Sequence, residues 1–247
     1  MNDLPAKVIL SEHLDEEAAD WLAERVQLVR CSPDDPAQWQ AELQEAEGLV
    51  VRTYTRVDTA LLAAAPKLRV VARAGVGLDN IDLKACAERK VRVVHTPDAN
   101  TQAVVEYVWA LIFDHLRPRV SMDRYTPPPM FHRMRHQHVG RQCDRMQLGI
   151  LGMGRIGRRV AEVAHAFGMR VGYHDLKTRR QLALPDEEPS EYLDRNTLLT
   201  ESDILSIHVD GRIENHGLID EAALGKLKKS CLLINTSRGF VVAPEAL

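Results

Sequence analysis

The chain has 247 residues, 45% of them hydrophobic, with 32 Lys and Arg against 35 Asp and Glu for a net charge of −3. That is long enough for two domains with their own cores, but it offers no electrostatic footprint for nucleic acid or a membrane surface, no apolar run that spans a bilayer and no secretory signal. Cys31, Cys86, Cys143 and Cys231 lie far apart without a CxxC pair, which argues against a disulfide framework or zinc knuckle and makes a cytoplasmic protein with reduced thiols the expectation.

Short apolar runs alternate with helix-patterned segments, the signature of parallel sheets covered by helices and hence of an α/β fold. In chain order the pattern predicts strands over 7–10, 26–31, 48–52, 68–74 and 91–95, with helices over 16–24, 36–46, 58–65 and 82–90 between them. A longer helix is predicted over 102–116, with Asn100 or Thr101 as its N-cap. Its apolar positions Val104, Val105, Val108, Leu111 and Ile112, with Trp109, recur at helical spacing, and the expectation is burial between domains or subunits.

Residues 117–146 are proline-rich, basic and aperiodic, and read as an extended arm or loop. His132, His136 and His138 lie in this arm without a partnering acid or cysteine, so a solvated or subunit-contacting surface is expected there and no metal site. Beyond it, strands are predicted over 147–151, 169–173, 203–209 and 231–235, and helices over 155–168, 191–200 and 221–229. The organisation expected is two doubly wound parallel-sheet domains: a flavodoxin-like domain over 1–100 and a Rossmann dinucleotide-binding domain over 101–247. Four strands are counted in the second, where six are usual. Pro244 begins what looks like a helical turn just before the last residue, so the C-terminus is expected to be cut and both domains incomplete.

The sharpest motif is LGILGMGRIG, an apolar strand running into Gly152, Gly154 and Gly157 and then a helix, a second strand and Asp175. Gly152 permits the tight turn, Gly154 lets a pyrophosphate approach the backbone, and Gly157 lets the helix pack closely. The helix N-terminus faces the phosphates, and Asp175 accepts hydrogen bonds from the adenosine ribose. Its charge repels a 2′-phosphate and favours NAD over NADP, although Arg179 and Arg180 follow closely.

Two further strand ends carry chemistry. LLINTSRG delivers Arg238 beyond an apolar strand, where open α/β sheets bind ligands and a guanidinium can grip a carboxylate or carbonyl. By itself it serves equally well as a strand-end partner for a surface acid. VARAGVGLDN runs from a strand into a glycine turn whose consecutive N–H groups suit a small anion, or which is an ordinary connection to the next helix. His208 and His95, each closing an apolar run, read as packed histidines with a satisfied ring nitrogen.

Together these segments, with HTPDANTQAVVEYVWAL and ESDILSIHV, resemble the D-isomer-specific 2-hydroxyacid dehydrogenase family, which includes phosphoglycerate dehydrogenase, over residues 51–247. The resemblance implies that Gly75, Val76 and Gly77 offer N–H groups to a substrate carboxylate, with Arg52 and Asn100 nearby. It implies that Arg155 and Ile156 supply N–H groups to the pyrophosphate, that Val209, Thr236 and Ser237 line the nicotinamide side, and that Arg238 is the catalytic arginine. The implied activity is NAD-dependent hydride transfer between nicotinamide and a small D-2-hydroxy or 2-oxo acid, 3-phosphoglycerate-like at best guess, by a homodimer.

In that family a glutamate and a histidine complete the acid–base pair further along, and here only nine residues follow Arg238. Impaired turnover of this chain is therefore expected. Asp210 and Ala243 stand where relatives commonly have proline and aspartate. The alternative is a non-catalytic dinucleotide-sensing module of the same fold, corepressor-like in its role.

Overall fold

Aspartates punctuate the chain, and six of the helices among the described residues begin on them. In a computed structural model describing residues 5–117, 125–137, 139–187 and 189–247, the carboxylates of Asp15, Asp35, Asp58 and Asp82 each accept a backbone N–H in the first turn of a helix: α1 (Glu16–Ala23), α2 (Pro36–Glu45), α3 (Thr59–Ala64) and α4 (Leu83–Glu88). Such caps satisfy donors that the helix itself cannot. Between these helices run β1 (Lys7–Leu10), β2 (Gln27–Arg30), β3 (Gly48–Val51), β4 (Val70–Arg73) and β5 (Arg92–His95). All pair in parallel in the order β2-β1-β3-β4-β5, the flavodoxin-like order. Ile9, Leu49, Val51 and Val71 pack against one helical layer, and Val8, Leu10 and Val50 against the other. Burial on both faces is why these strands read as continuous apolar runs.

The chain divides into two compact units, Met1–Asn100 and Thr101–Leu247. The second opens with α5 (Thr101–Leu116) and α6 (Pro128–Gln137). Its sheet contains β6 (Gln147–Leu151), β7 (Arg170–His174), β8 (Glu191–Tyr192), β9 (Ile204–Ile207) and β10 (Leu232–Asn235), parallel throughout and ordered β10-β9-β6-β7-β8. Helix α7 (Arg155–Ala166) links β6 to β7, and α8 (Arg195–Glu201) and α9 (Glu221–Leu224) start on the capping aspartates Asp194 and Asp220. Among the described residues no helix is long and apolar enough to cross a membrane.

Four expectations are corrected. The helix over 191–200 begins only at Arg195, because Glu191 and Tyr192 pair beside Gly172 and Tyr173 as a two-residue fifth strand; the sheet therefore has five strands, not four. The 117–146 arm contains α6, which three prolines ahead of Met130 disguise as loop although proline is harmless in a first helical turn. The helix over 221–229 stops at Leu224, before Gly225. The apolar face of α5 is buried inside its own unit: Val105, Val108, Trp109, Ile112 and Leu116 pack with Leu148, Ile150, Val160 and Ala164. Each such aliphatic side chain contributes about 1.5–3 kcal/mol by burial. His138 and the 118–124 part of the arm lie outside the described residues.

Candidate active site

Strand β6 is flanked by β7 and β9, so the chain leaving its C-terminal end emerges at the point where the strand order reverses. Gly152 makes that exit with φ 101°, a left-handed conformation that favours glycine. Its N–H donates to the His174 carbonyl at 2.9 Å, and a Cβ there would lie 2.8 Å from the backbone carbonyl of His208. A Cβ on Gly157 would lie 2.2 Å from the Gly152 oxygen, so the first turn of α7 rests directly on the glycine turn. Gly154 is different. A Cβ on it would meet nothing within 4 Å, so no protein atom demands a glycine at that place.

The start of α7 also departs from the aspartate-capped pattern. It begins on Gly154 with no side-chain cap. Its first-turn N–H groups, those of Arg155 and Ile156 among them, have no acceptor within the helix and stand at the positive end of its dipole. Asp175, just past β7, faces the same turn: Oδ2 accepts the Met153 N–H at 2.8 Å and Oδ1 the Lys177 N–H at 2.8 Å. It borders a cavity of about 380 Å³ lined by Tyr173, Leu176, Thr178, Arg179 and Tyr192. Arg179 is held by the carbonyls of Pro185 and Asp186 at 2.5 and 2.9 Å.

Beyond β10, Asn235 organises the turn that carries Thr236, Ser237 and Arg238. Its Oδ1 accepts the Ser237 N–H at 3.1 Å and the Ser237 hydroxyl at 2.7 Å, while its Nδ2 donates to the Arg238 carbonyl at 2.8 Å. An Arg238 guanidinium N–H donates to the Ser237 carbonyl at 3.0 Å. The Thr236 hydroxyl is buried without a hydrogen-bond partner among the described residues. His208 pairs its Nε2 with the Ser206 hydroxyl at 2.9 Å, but its buried Nδ1 has no partner there either. The expected packed histidine with one satisfied ring nitrogen is thus found. Burial pushes its pKa down to about 4, so the ring is neutral at pH 7. Val209 follows it, its backbone N 3.0 Å from where a Gly152 Cβ would stand.

In the first unit the glycine turn follows β4. The Gly75 N–H is already spent on the Arg73 carbonyl at 2.9 Å, which removes it from the expected set of three donors. The N–H groups of Val76 and Gly77 meet no acceptor among the described residues. The His95 ring Nδ1 lies 3.0 Å from the Val76 carbonyl. That histidine is exposed rather than packed, because it ends an edge strand. Asn100 is exposed at the end of the unit and makes no side-chain hydrogen bond among the described residues. Arg52, also exposed, follows β3 and donates from Nη1 to the His13 carbonyl at 3.0 Å.

Three residues in these turns escape sequence reasoning. Asn235 stands as an ordinary strand-end residue in the sequence, although an Asn before Thr-Ser is an Asx-turn signal. Asn80 donates to the carbonyls of Arg52 and Thr55 at 3.2 and 2.7 Å, tying the two loops of the first unit together. Glu12 accepts the N–H groups of Arg52, Thr53, Tyr54 and Thr55 at 2.9, 2.8, 3.1 and 2.9 Å. Burial raises its carboxyl, but the N–H groups of Thr55, Arg52, Thr53 and Tyr54 outweigh that and hold its pKa down at about 2.

Residues 109–247 match the family model "D-isomer specific 2-hydroxyacid dehydrogenase, NAD binding domain". The chain belongs to that family. A glyoxylate reductase of Aeropyrum pernix is 40% identical over 212 residues, covering 84% of this chain and 63% of the relative. A D-3-phosphoglycerate dehydrogenase of Mycobacterium leprae is 34% identical over 245 residues, covering 99% of this chain and 46% of the relative. The chain therefore spans less than two thirds of the length of these curated relatives. The crystal structure of an Aquifex aeolicus D-lactate dehydrogenase, complexed with NAD and lactic acid, superposes with a TM-score of 0.80 at 29% identity, over 97% of this chain and 71% of that one. The family's NAD-binding model starts within α5 and takes in the whole β6–β10 sheet with its glycine turn.

Proposed function

We propose that the protein carries out NAD-dependent hydride transfer between the nicotinamide and C2 of a small D-2-hydroxy or 2-oxo acid. Residues 1–100 are the substrate domain and 101–247 the dinucleotide domain. The observation that carries this reading is the open space over Gly154 at an uncapped helix N-terminus, which is what a pyrophosphate requires. The residues fit the cofactor: Gly152, Gly154 and Gly157 shape the cradle, Arg155 and Ile156 offer N–H groups, and Asp175 has the acceptors a ribose diol needs. Val209, Thr236 and Ser237 form the nicotinamide side, where the orphaned Thr236 hydroxyl is a ready hydrogen-bonding group. When bound, NAD supplies the hydride acceptor.

The chain's own residues bind and orient the acid. The N–H groups of Val76 and Gly77 receive its carboxylate, with Arg52 and Asn100 as further polar groups. Arg238 orients the 2-oxo acid and polarises its carbonyl with a planar fork of donors. A small 2-oxo acid is supported by the glyoxylate reductase relatives and a 3-phosphoglycerate-like acid by the phosphoglycerate dehydrogenase relatives. The active form is proposed to be a homodimer.

The test is calorimetry with NAD and with NADP, followed by a screen of glyoxylate, pyruvate, hydroxypyruvate and 3-phosphohydroxypyruvate against the NADH-loaded protein. NAD binding, NADP binding at least tenfold weaker, and affinity for one of these acids are expected; no heat with either dinucleotide defeats the reading.

A further inference from the structure

The first unit has its own reversal of strand order, between β1 and β3. In open α/β sheets the crevice beyond the carboxyl ends of two such strands is where ligands bind. Here it is filled from within. Glu12 follows β1 by two residues, and its carboxylate reaches the segment following β3, where four consecutive backbone N–H groups, those of residues 52–55, converge on its two oxygens at 2.8–3.1 Å. A run of N–H groups closing on one anion is the geometry of a backbone anion nest, with a side chain of the same unit as the anion. The neighbouring Ser11 hydroxyl adds bonds to the Val50 carbonyl at 3.1 Å and to the Thr55 hydroxyl at 2.8 Å. On the opposite side of the segment Asn80, from the loop that carries Gly75–Gly77, takes the carbonyls of Arg52 and Thr55.

From this geometry we propose that Glu12 is a positioning residue for the substrate site: its carboxylate holds the 52–55 segment in one shape and thereby presents the Arg52 guanidinium to the substrate's acid group. The proposal rests on the reading of the first unit as the substrate domain. Arg52 is exposed, with one guanidinium nitrogen on the His13 carbonyl. Its backbone is fixed twice, by Glu12 at the N–H and Asn80 at the carbonyl. The side chain therefore projects from an anchored backbone rather than a floppy loop, which lowers the ordering cost of gripping a small acid. A glutamine at position 12 keeps the size but loses the charge, and its NH₂ group would face N–H donors. An aspartate keeps the charge on a shorter stem. A glycine leaves the nest empty, so that a small carboxylate such as formate can refill it.

The test uses the whole 247-residue chain and two independent readouts: amide hydrogen exchange at residues 52–55, and affinity for NAD and for oxamate, an unreactive analogue of a 2-oxo acid, in the presence of NADH. In the parent the four hydrogen-bonded amides are expected to exchange slowly. Glu12→Gln and Glu12→Gly are expected to speed them at least tenfold and to weaken oxamate binding at least tenfold, with NAD affinity within twofold of the parent. Glu12→Asp falls between parent and glutamine variant, and about 100 mM formate, roughly a hundredfold above a millimolar Kd, restores slow exchange and oxamate binding to Glu12→Gly alone. Unchanged exchange in Glu12→Gln overturns the proposal. So does a parallel loss of NAD and oxamate affinity, which would mark Glu12 as a support of general stability only. A parent that binds NAD but no oxamate overturns the substrate reading beneath the proposal, and the exchange rates tell that failure apart from failure of the clamp.

Discussion

Both units carry a glycine-rich turn at the carboxyl end of a parallel strand, yet the two turns are held by different means. At 152–157 the main chain decides: Cβ atoms on Gly152 and Gly157 would strike backbone atoms at 2.8 and 2.2 Å, and no rotamer change could relieve them. At 75–77 side chains decide: His95 meets the Val76 carbonyl, Asn80 ties the following residues to the Arg52 segment, and Glu12 fixes that segment from the other side. A turn dictated by backbone contact announces itself in sequence as spaced glycines. At 75–77 the glycines are equally visible, but the side chains that hold the turn are not, because no local pattern specifies distant partners.

The strongest way to break this comparison is to add a methyl group to each glycine of the dinucleotide turn. Gly152→Ala forces a Cβ into a left-handed backbone and against the His208 carbonyl, and is expected to destabilise the second unit by about 3 kcal/mol and abolish NAD binding. Gly154→Ala meets only open space and loses little but the capping preference, so a fall in Tm of no more than about 3 °C is expected. NAD affinity should nevertheless fall at least tenfold. Equal damage to stability from both substitutions, in thermal melts and calorimetry, would mean that Gly154 has a structural role and is not reserved for a ligand.

Acid should separate the units as well. His208 has a pKa lowered from 6.5 to about 4 by burial, so between those values the unfolded chain takes a proton that the folded chain refuses. The stabilisation is full above pH 6.5 and is lost as pH falls towards 4, by up to about 3 kcal/mol. Glu12, lowered from 4.5 to about 2, contributes stability above pH 4.5 that is lost only as pH falls from there towards 2. Urea titrations from pH 7 to 4 on His208→Gln should show the first limb flattened; an unaltered limb would place its origin elsewhere.

The fold class, every strand but β8 and the fingerprint were legible because burial on both faces writes continuous apolar runs, and because glycine spacing and capping aspartates are local signals. What stayed hidden depends on contacts far apart in sequence. Glu12 looks like one more solvated acid in SEHLDEE until strand order brings it to a loop 40 residues on. The apolar stripe of α5 was plain, but its target, the β6–α7 layer of the same unit, was not. A two-residue strand such as β8 has no periodicity to read, and α6 hides behind its own prolines.

Side-chain anchoring predicts smaller effects in the first unit. Asn80→Ala removes the only side-chain donor described for the Arg52 and Thr55 carbonyls, at a cost of about 1–3 kcal/mol. NAD affinity should be unchanged, because the 152–157 turn proposed to hold the cofactor is closed by its own backbone. Asn235→Ala, the matching change in the second unit, removes the acceptor of the Ser237 N–H and one of the two donors to the Arg238 carbonyl, which keeps the Val241 N–H, and should cost a similar amount.

The finest discrimination is at Asp175, where one carboxylate holds the turn and is proposed to hold the cofactor's ribose as well. Its bond to the Met153 N–H is charge-assisted, and such bonds are roughly twice as strong as neutral ones. Asp175→Asn keeps an oxygen for that N–H but removes the charge that repels a 2′-phosphate. NAD affinity should fall about tenfold, or 1.4 kcal/mol, while NADP affinity holds or rises, since Arg180 lies exposed five residues on. A fall that is the same for both dinucleotides would mean that Asp175 acts on the glycine turn alone. The backbone-closed turn would then depend on a side chain after all, and the contrast between the two units would narrow to a difference of degree.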